Sequence, residues 1–361
     1  MQLAVLGVGG AGGRLAARLA AAESDDRPYV DTVAAFDTDP EAIGDLDVPQ
    51  EHRHAFGTTS RSTGDADAVR AAAEENAREL SHAAGDAVPS TVDGVLVAVG
   101  VGGATGAGAA PVLVDTLRET IERPVYALTV LPAPGEEGVV ANARAGLRGL
   151  EATVDAQLLF DNARLGAPEE HPPDAEAADA YDAANATIAV WVAALFGAGE
   201  ATDAAAVGET VVDASEIIAT LGEEGYTTLG YWRQQVREEP SFLDRLRSKT
   251  ETPDEIESYS TIETAVQRSL FRQRSAEADL SRATRALLVT MGPPEWLNRE
   301  AIADARRTLD ETIGGGAVRG GDTPIEDGLD LTVLSVCAGI DRPKRVASLI
   351  EAGVGPAERG D

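Results

Sequence analysis

Five glycines fall within nine positions at residues 100–108, in "GVGGATGAG", directly after the apolar run "DGVLVAVG". A second cluster, "GVGGAGG" at residues 7–13, follows the apolar "QLAVL" in the same way. A chain stripped of side chains between a strand and a helix can wrap an anion in its backbone. Glycine permits positive φ and close approach, and the N–H groups and positive end of the following helix face the ligand, most often a phosphate. The glycines of one cluster could serve only to make a tight turn; two clusters in matching positions of one sheet favour anion holding. No Gly-Lys-Ser/Thr follows either cluster, so a Walker-type lysine site is excluded. The phosphate charge must then be met by N–H dipoles, Arg14 and a magnesium ion, with Thr105 adding a hydroxyl. The first cluster alone leaves an alternative. Gly7, Gly9 and Gly12 fit the dinucleotide pattern, with Asp37 at the end of the next strand as ribose anchor. A nicotinamide enzyme, however, has no need of the richer second cluster, and no His or Lys is placed for hydride chemistry.

The elements around these clusters alternate. "QLAVL", "VDTVAAFDTD", "DGVLVAVG", "PVYALTVLP" and "AQLLFDN" read as strands; "RLAARLAAAE", residues 66–84 and "APVLVDTLRETI" read as helices, the last with Pro111 at its start. This predicts a parallel sheet covered by helices on both faces. The acidic, proline-bearing "GAPEEHPPDAEAAD" reads as a loop, followed by a long helix from Ala177 toward Phe196. Residues 237–261 read as a polar, mobile stretch. "RALLVTMGPPEWL", a helix at 299–313 and "LDLTVLSVCAG" then suggest a smaller second domain.

The net charge of −31, only two lysines (Lys249 and Lys344) and 4% aromatics suit a protein kept soluble in a high-salt cytoplasm. The same acidic coat repels nucleic acid, so no such partner is expected. The single cysteine, Cys337, excludes a disulfide framework. The four histidines, His52, His54, His82 and His171, lack ligand spacing, so no protein-borne metal site is expected. With neither a signal peptide nor a membrane span of ~20 apolar residues, a cytoplasmic location is expected.

The second cluster, Gly102-Gly103-Ala104-Thr105-Gly106-Ala107-Gly108, resembles the tubulin/FtsZ signature, with Ala104 in place of its third glycine and Ala107 in place of a hydroxyl residue. The resemblance covers most of the chain. "GVGGAGGR" is similar to the first phosphate loop, with Gly10 to Arg14 as its centre, which implies nucleotide contacts at Gly9, Gly10, Ala11, Gly12, Gly13 and Arg14. "AAFDTD" is similar to a strand that ends in Asn-Thr in the family, with Asp37 replacing the asparagine. "TTSRSTGDADA" loosely resembles the γ-phosphate loop. Glu137 stands where the family has a ribose contact and Asn162 where it has a guanine or ribose contact. "AYDAAN" resembles the start of the central helix; Tyr181 and Asn185 share one helix face, where a ring can stack on guanine and an amide can read its edge. "VVDASEIIATL" resembles the catalytic loop, which implies catalytic roles for Asp213 and Glu216, acids that could equally serve to open a helix. "FGAGE", the Asp-x-x-Glu form of that loop and "LLVTMGPPEWL" look most like the archaeal CetZ branch.

The resemblance implies a tubulin/FtsZ-like α/β fold: an N-terminal Rossmann-like parallel sheet at 1–175, a central helix and catalytic loop at 176–222, and a smaller C-terminal α+β domain at 223–361. It implies GTP/GDP and Mg2+ as cofactors, self-association into a head-to-tail polymer, GTP hydrolysis and a cytoskeletal role in cell shape. A helix from Tyr181 to Phe196 rises roughly 22 Å. Asp213 and Glu216 are therefore expected far from their own nucleotide, acting on a neighbouring copy, and such a contact that does not close builds a filament. Ala104 and Asp37 raise the alternative of a family member that binds nucleotide with little hydrolysis. The tail carries no amphipathic or basic anchor, so direct membrane insertion is not expected and any attachment would run through adaptor proteins.

Overall fold

A computed structural model describes residues 1–22, 27–57, 64–134, 139–165, 177–198, 212–238 and 253–352. The chain runs β1 (Leu3–Val8), α1 (Gly9–Ala21), β2 (Val30–Asp37), α2 (Pro40–Gly44), β3 (Arg53–Ala55), α3 (Ala66–Glu75), α4 (Ala77–Asp86), β4 (Gly94–Gly100), α5 (Ala104–Arg118), β5 (Val125–Leu131), α6 (Val139–Thr153) and β6 (Ala156–Asp161). It continues with α7 (Ala177–Phe196), α8 (Ala214–Leu221), β7 (Tyr226–Gln235), α9 (Glu255–Phe271), β8 (Arg285–Gly292), α10 (Arg299–Thr312), β9 (Ala317–Pro324), β10 (Asp330–Ile340) and α11 (Lys344–Ala352).

The strands form one sheet of ten in the order β3-β2-β1-β4-β5-β6-β7-β10-β8-β9. From β3 to β6 every pairing is parallel. The fully buried strands β1 and β5 are continuous apolar runs, as parallel strands covered on both faces must be. One face packs on α1, α7 and α8 through Leu15, Leu19, Ile188, Val192, Ile217 and Leu221. The other face packs on helices that include α5, α6, α9 and α11, through residues such as Leu113, Leu150, Val266 and Val346. After β1 the chain winds outward through β2 and β3, then returns to the far side of β1 as β4. That reversal opens a crevice at the carboxyl ends of β1 and β4, the place where open α/β sheets bind ligands.

The C-terminal strands join this sheet through a short seam, with β6 and β7 pairing in parallel only at Gln157–Tyr226 and Leu158–Thr227. Beyond it β7, β10 and β8 are antiparallel. Helix α7 lies over the seam, with the Trp191 ring between Phe160 of β6 and Tyr231 of β7 at centroid distances of 6.1 and 5.6 Å.

Several elements differ from the sequence expectation. Pro111 lies inside α5, not at its start. The helix begins at Ala104, where the small residues that follow Gly103 are buried, and Gly149 of α6 leaves room for the proline ring: a Cβ there would sit 2.5 Å from Pro111 Cγ. The glycine cluster at 7–13 is likewise strand end and first helical turns rather than a free loop. The helix expected at 66–84 is two, broken at Asn76, whose side chain bonds back to Ala72 O at 2.7 Å. The polar stretch 237–261 contains the start of α9, a helix whose buried stripe is only Ser258, Ile262, Ala265, Val266, Ser269 and Leu270. The loop at 166–176 and the tail at 353–361 lie outside the described residues.

Candidate nucleotide site and the opposite pole

The two glycine clusters meet in the crevice between β1 and β4. Gly9 has φ of +75°, and a Cβ on it would lie 2.8 Å from Gly106 N and 3.3 Å from Thr105 Cβ. Only glycine satisfies both the positive φ and that approach. Gly12 closes the crevice floor, since a Cβ there would lie 2.2 Å from the Ala98 carbonyl oxygen of β4. Gly13 leaves its space to Leu46, at 2.6 Å from the corresponding position. The hydroxyls of Thr38 and Thr105 are 3.1 Å apart, tying the end of β2 to the second cluster.

The helix starts at this crevice differ from most of those whose caps are described; α4 also starts without a side-chain cap, at Asn76, but carries Glu79 in its first turn. An Asp or Asn side chain accepts from first-turn N–H groups in α2 (Asp39), α3 (Asp65), α8 (Asp213), α9 (Asp254) and α10 (Asn298). Helices α1 and α5 start at Val8 and Gly103 with no side-chain cap and no acidic residue in the first turn. Their first N–H groups have no intrahelical partner, and both helices begin beside the same crevice. Two uncapped helix ends in one crevice form a site for an extended anion such as a polyphosphate.

Arg14 and Asp37 flank Gly10: Arg14 Nη1 is 3.5 Å and Asp37 Oδ2 3.9 Å from the position of a Gly10 Cβ. Arg14, Ala11 and Gly103 are exposed, Gly10 and Gly102 half-buried, and Ala104 and Thr105 buried. Asp37 is also buried and accepts from Asp39 N at 3.1 Å. Desolvation pushes its carboxyl above the usual range, against the lowering effect of bonds from Asp39 and Thr38. Among the described residues no three His, Cys, Asp or Glu side chains gather as metal donors. The donors at this pole are the Asp37 carboxyl and the two threonine hydroxyls. That hard-oxygen set suits a magnesium ion carried largely by phosphate and water oxygens. Asn162 is buried at the carboxyl end of β6, on the same edge of the sheet. Glu137 lies outside the described residues.

Helix α7 links the two poles. Its far end sits at the start of the sheet: the Met1 amino group donates to Phe196 O at 3.1 Å, and the Phe196 ring is 6.5 Å from that of Tyr29, just before β2. Tyr181, at the other end, is therefore roughly 22 Å back along the helix axis toward the crevice edge. Tyr181 is 36% exposed, and Asn185 follows one turn later, half-buried.

Asp213 and Glu216 lie beyond the far end of α7. Asp213 caps α8, its Oδ1 accepting from Glu216 N at 2.9 Å and from the Ser215 hydroxyl at 2.6 Å. Those two bonds, with a smaller contribution from the nearby chain-terminal ammonium, hold its carboxyl below the usual range. Glu216 is half-buried, and among the described residues its Oε2 is shielded from water with no hydrogen-bond partner. Arg285 of β8 fixes the far end of α8, bonding Ala219 O and pairing with Glu223. The structure thus brings Gly9–Gly13, Arg14, Asp37 and Gly102–Gly106 together and leaves Asp213 and Glu216 at the opposite end of the molecule. Sequence reasoning missed Thr38, beside a residue it did name, and Asn142, a polar residue buried on the inner face of α6. An asparagine among the small and apolar residues of "VVANARAGL" was the available signal.

Residues 2–167 match the model of the GTPase domain of the tubulin/FtsZ family, and residues 174–355 match that of the C-terminal domain of tubulin-like CetZ. The chain is 34% identical to tubulin-like protein CetZ5 of Haloferax volcanii, over 98% of this chain and 92% of the relative. Among solved structures, the GDP-bound monomer of CetZ1 from Haloferax volcanii superposes with a TM-score of 0.82 at 28% identity, covering 98% of each chain. The GTPγS-bound protofilament of CetZ2 from the same organism gives a TM-score of 0.80 at 30% identity, covering 98% of this chain and 97% of that one.

Proposed function

The chain belongs to the tubulin/FtsZ family, in its CetZ branch, and from that premise we propose that it binds GTP in the crevice between β1 and β4, polymerises head-to-tail and hydrolyses GTP where two subunits meet. The carrying observation is the pair of uncapped helix starts, α1 and α5, at one crevice. The amides of residues 9–13 and 102–106 hold the phosphates, aided by Arg14 and Thr105. Tyr181 stacks on the guanine, and Asn185 and Asn162 bond its edge or the ribose; Glu137 takes the other ribose contact. A magnesium ion entering with the nucleotide would neutralise phosphate charge, and Asp37 and Thr105 would help to hold it.

Asp213 and Glu216 of the next subunit then face the γ-phosphate. They orient and polarise a water whose oxygen bonds to the γ-phosphorus as the bond to the bridging oxygen breaks, leaving GDP and inorganic phosphate. Support comes from the length of α7 and from the Glu216 Oε2, which has no hydrogen-bond partner among the described residues. In this proposal residues 1–175 bind nucleotide, 176–222 carry the helix and catalytic loop, and 223–361 complete the contact surface. The filament acts in the cytoplasm in control of cell shape, attached to other structures through adaptor proteins.

The buried Asp37 carboxyl and the buried Ala104 methyl favour a second reading, nucleotide binding with slow turnover. Light scattering and phosphate release with GTP and magnesium in concentrated potassium chloride test both. Catalysis between subunits makes specific activity rise with protein concentration. Scattering without phosphate release selects the second reading, and the absence of both defeats the first.

A further inference from the structure

Asn142 ties together two separate stretches of backbone beside the crevice, residues 64–66 and the second glycine cluster. Its Nδ2 donates to Gly64 O at 3.0 Å and to Gly102 O at 3.1 Å, and its Oδ1 accepts from Ala66 N at 3.0 Å. The side chain is 6% exposed, and both amide hydrogens and the amide oxygen are engaged. Ala66 is the first residue of α3, and Gly102 belongs to the second glycine cluster. Val139, in the same turn of α6, and Pro132, just after β5, also press on that glycine: a Cβ on Gly102 would lie 3.5 Å from Val139 Cβ and 3.1 Å from Pro132 Cβ.

The bond to Gly102 O has a consequence for the next residue. The C=O of Gly102 and the N–H of Gly103 belong to one planar trans peptide, so they point in opposite directions. While Asn142 holds the carbonyl toward α6, the Gly103 N–H is directed away from α6. Released, the peptide of two glycines meets no Cβ barrier to rotation, and a flip would present a carbonyl oxygen where the N–H had been. An anion is attracted by the first arrangement and repelled by the second.

We infer that Asn142 is a positioning residue for nucleotide binding: it locks the Gly102–Gly103 peptide so that an N–H, not a carbonyl, faces the phosphates. The inference rests on the proposed GTP site. Asn142→Asp separates this role from support of α3, because the new carboxylate still accepts from Ala66 N but can donate to neither glycine carbonyl. The assay is GTP titration by calorimetry on the full chain in concentrated potassium chloride with magnesium, beside nucleotide-free melting. For Asn142→Asp the dissociation constant rises at least about tenfold at neutral pH, as loss of charge-facing hydrogen bonds requires. It recovers toward that of the unaltered chain at acid pH, where the protonated carboxyl regains one donor. A merely structural role would lower nucleotide-free melting without that pH-reversible loss of affinity. Binding within about threefold of the unaltered chain at neutral pH, measured well below both melting points, overturns the inference. If Asn142→Asp does not fold, Asn142→Ser, which adds no charge, is held to the same neutral-pH criterion. Failure of the unaltered chain to bind GTP overturns the GTP reading and this inference with it.

Discussion

Gly9→Ala is the sharpest test of the crevice. Two costs apply at this residue and both can be sized. Its φ of +75° lies in the left-handed region, where a Cβ costs roughly 1–2 kcal/mol. The methyl would also sit 2.8 Å from Gly106 N and 3.3 Å from Thr105 Cβ. Relief to an ordinary contact needs the two glycine clusters to part by several tenths of an ångström at the point where their amides should converge on one ligand. Each amide drawn out of hydrogen-bond reach of a charged group forfeits about 1.5–3 kcal/mol. We expect GTP to bind about 100-fold more weakly or worse, with nucleotide-free stability down by only about 1–3 kcal/mol. Gly85→Ala is the matched control. It lies in α4 with no heavy atom within 4 Å of its would-be Cβ, and should leave binding unchanged while stabilising the helix by up to ~1 kcal/mol. Calorimetric titration with GTP and GDP, with urea melts of the nucleotide-free proteins, reads both quantities. GTP affinity in Gly9→Ala within a few-fold of the parent would mean that the clusters do not form one anion site.

Three further outcomes follow from charge. Burial raises the folded pKa of Asp37 above its unfolded value, so its penalty is absent at low pH and grows as pH rises through the folded value; Asp37→Asn should stabilise the protein at neutral pH, with the gain fading as pH drops toward 4 in melts across that range. Asp213→Asn keeps an acceptor for Glu216 N, so melting should hold while GTP turnover falls, whereas Asp213→Ala should also lose about 1 kcal/mol of cap stability. Burial raises Glu151, but its bonds from Arg342 (2.8 and 2.7 Å) and Tyr226 (2.6 Å) outweigh that and lower its pKa, so Glu151→Gln should cost about 1 kcal/mol at neutral pH, a difference that disappears in acid melts as pH falls through the lowered value.

The central strands were legible because their surroundings are simple. β1 and β4 are buried on both faces, and nothing but small and branched apolar residues fits. β7 was not legible: buried Thr227 and Thr228 interrupt its apolar pattern, because this strand stitches two halves of a sheet through a seam of two residue pairs. α9 hid for a related reason, since its inner face is narrow and carries two serines. Pro111 was misread because the rule for proline at a helix start is local, whereas the room for its ring is made by Gly149, 38 positions away in the chain. The site shows the same division. The glycine clusters stand out in the sequence because backbone exposure demands a composition that nothing else does. Asn142 did not stand out, because its three bonds all reach backbone atoms, whose positions no side-chain pattern records.

The separation of the poles yields a test that needs no structure of a filament. Asp213 and Glu216 are held by α8, which is pinned to β8 through Arg285, while α7 is fixed at the sheet's start through Phe196 and buried along its length through Ile188 and Val192. With both helices packed in place, the acids cannot cover roughly 22 Å to their own crevice without unpacking them. Gly9→Ala should spoil a subunit's crevice and leave its acids intact; Glu216→Ala should do the reverse, abolishing turnover while filaments still assemble. Mixed in equal amounts, the two variants create a junction that neither has alone, an intact crevice against intact acids. With random order along the filament, about one junction in four is of this kind. Phosphate release should then recover to roughly a quarter of the parent rate, reduced by any preference for like neighbours. Were the acids acting within their own chain, every subunit in the mixture would carry one broken part and mixing would restore nothing.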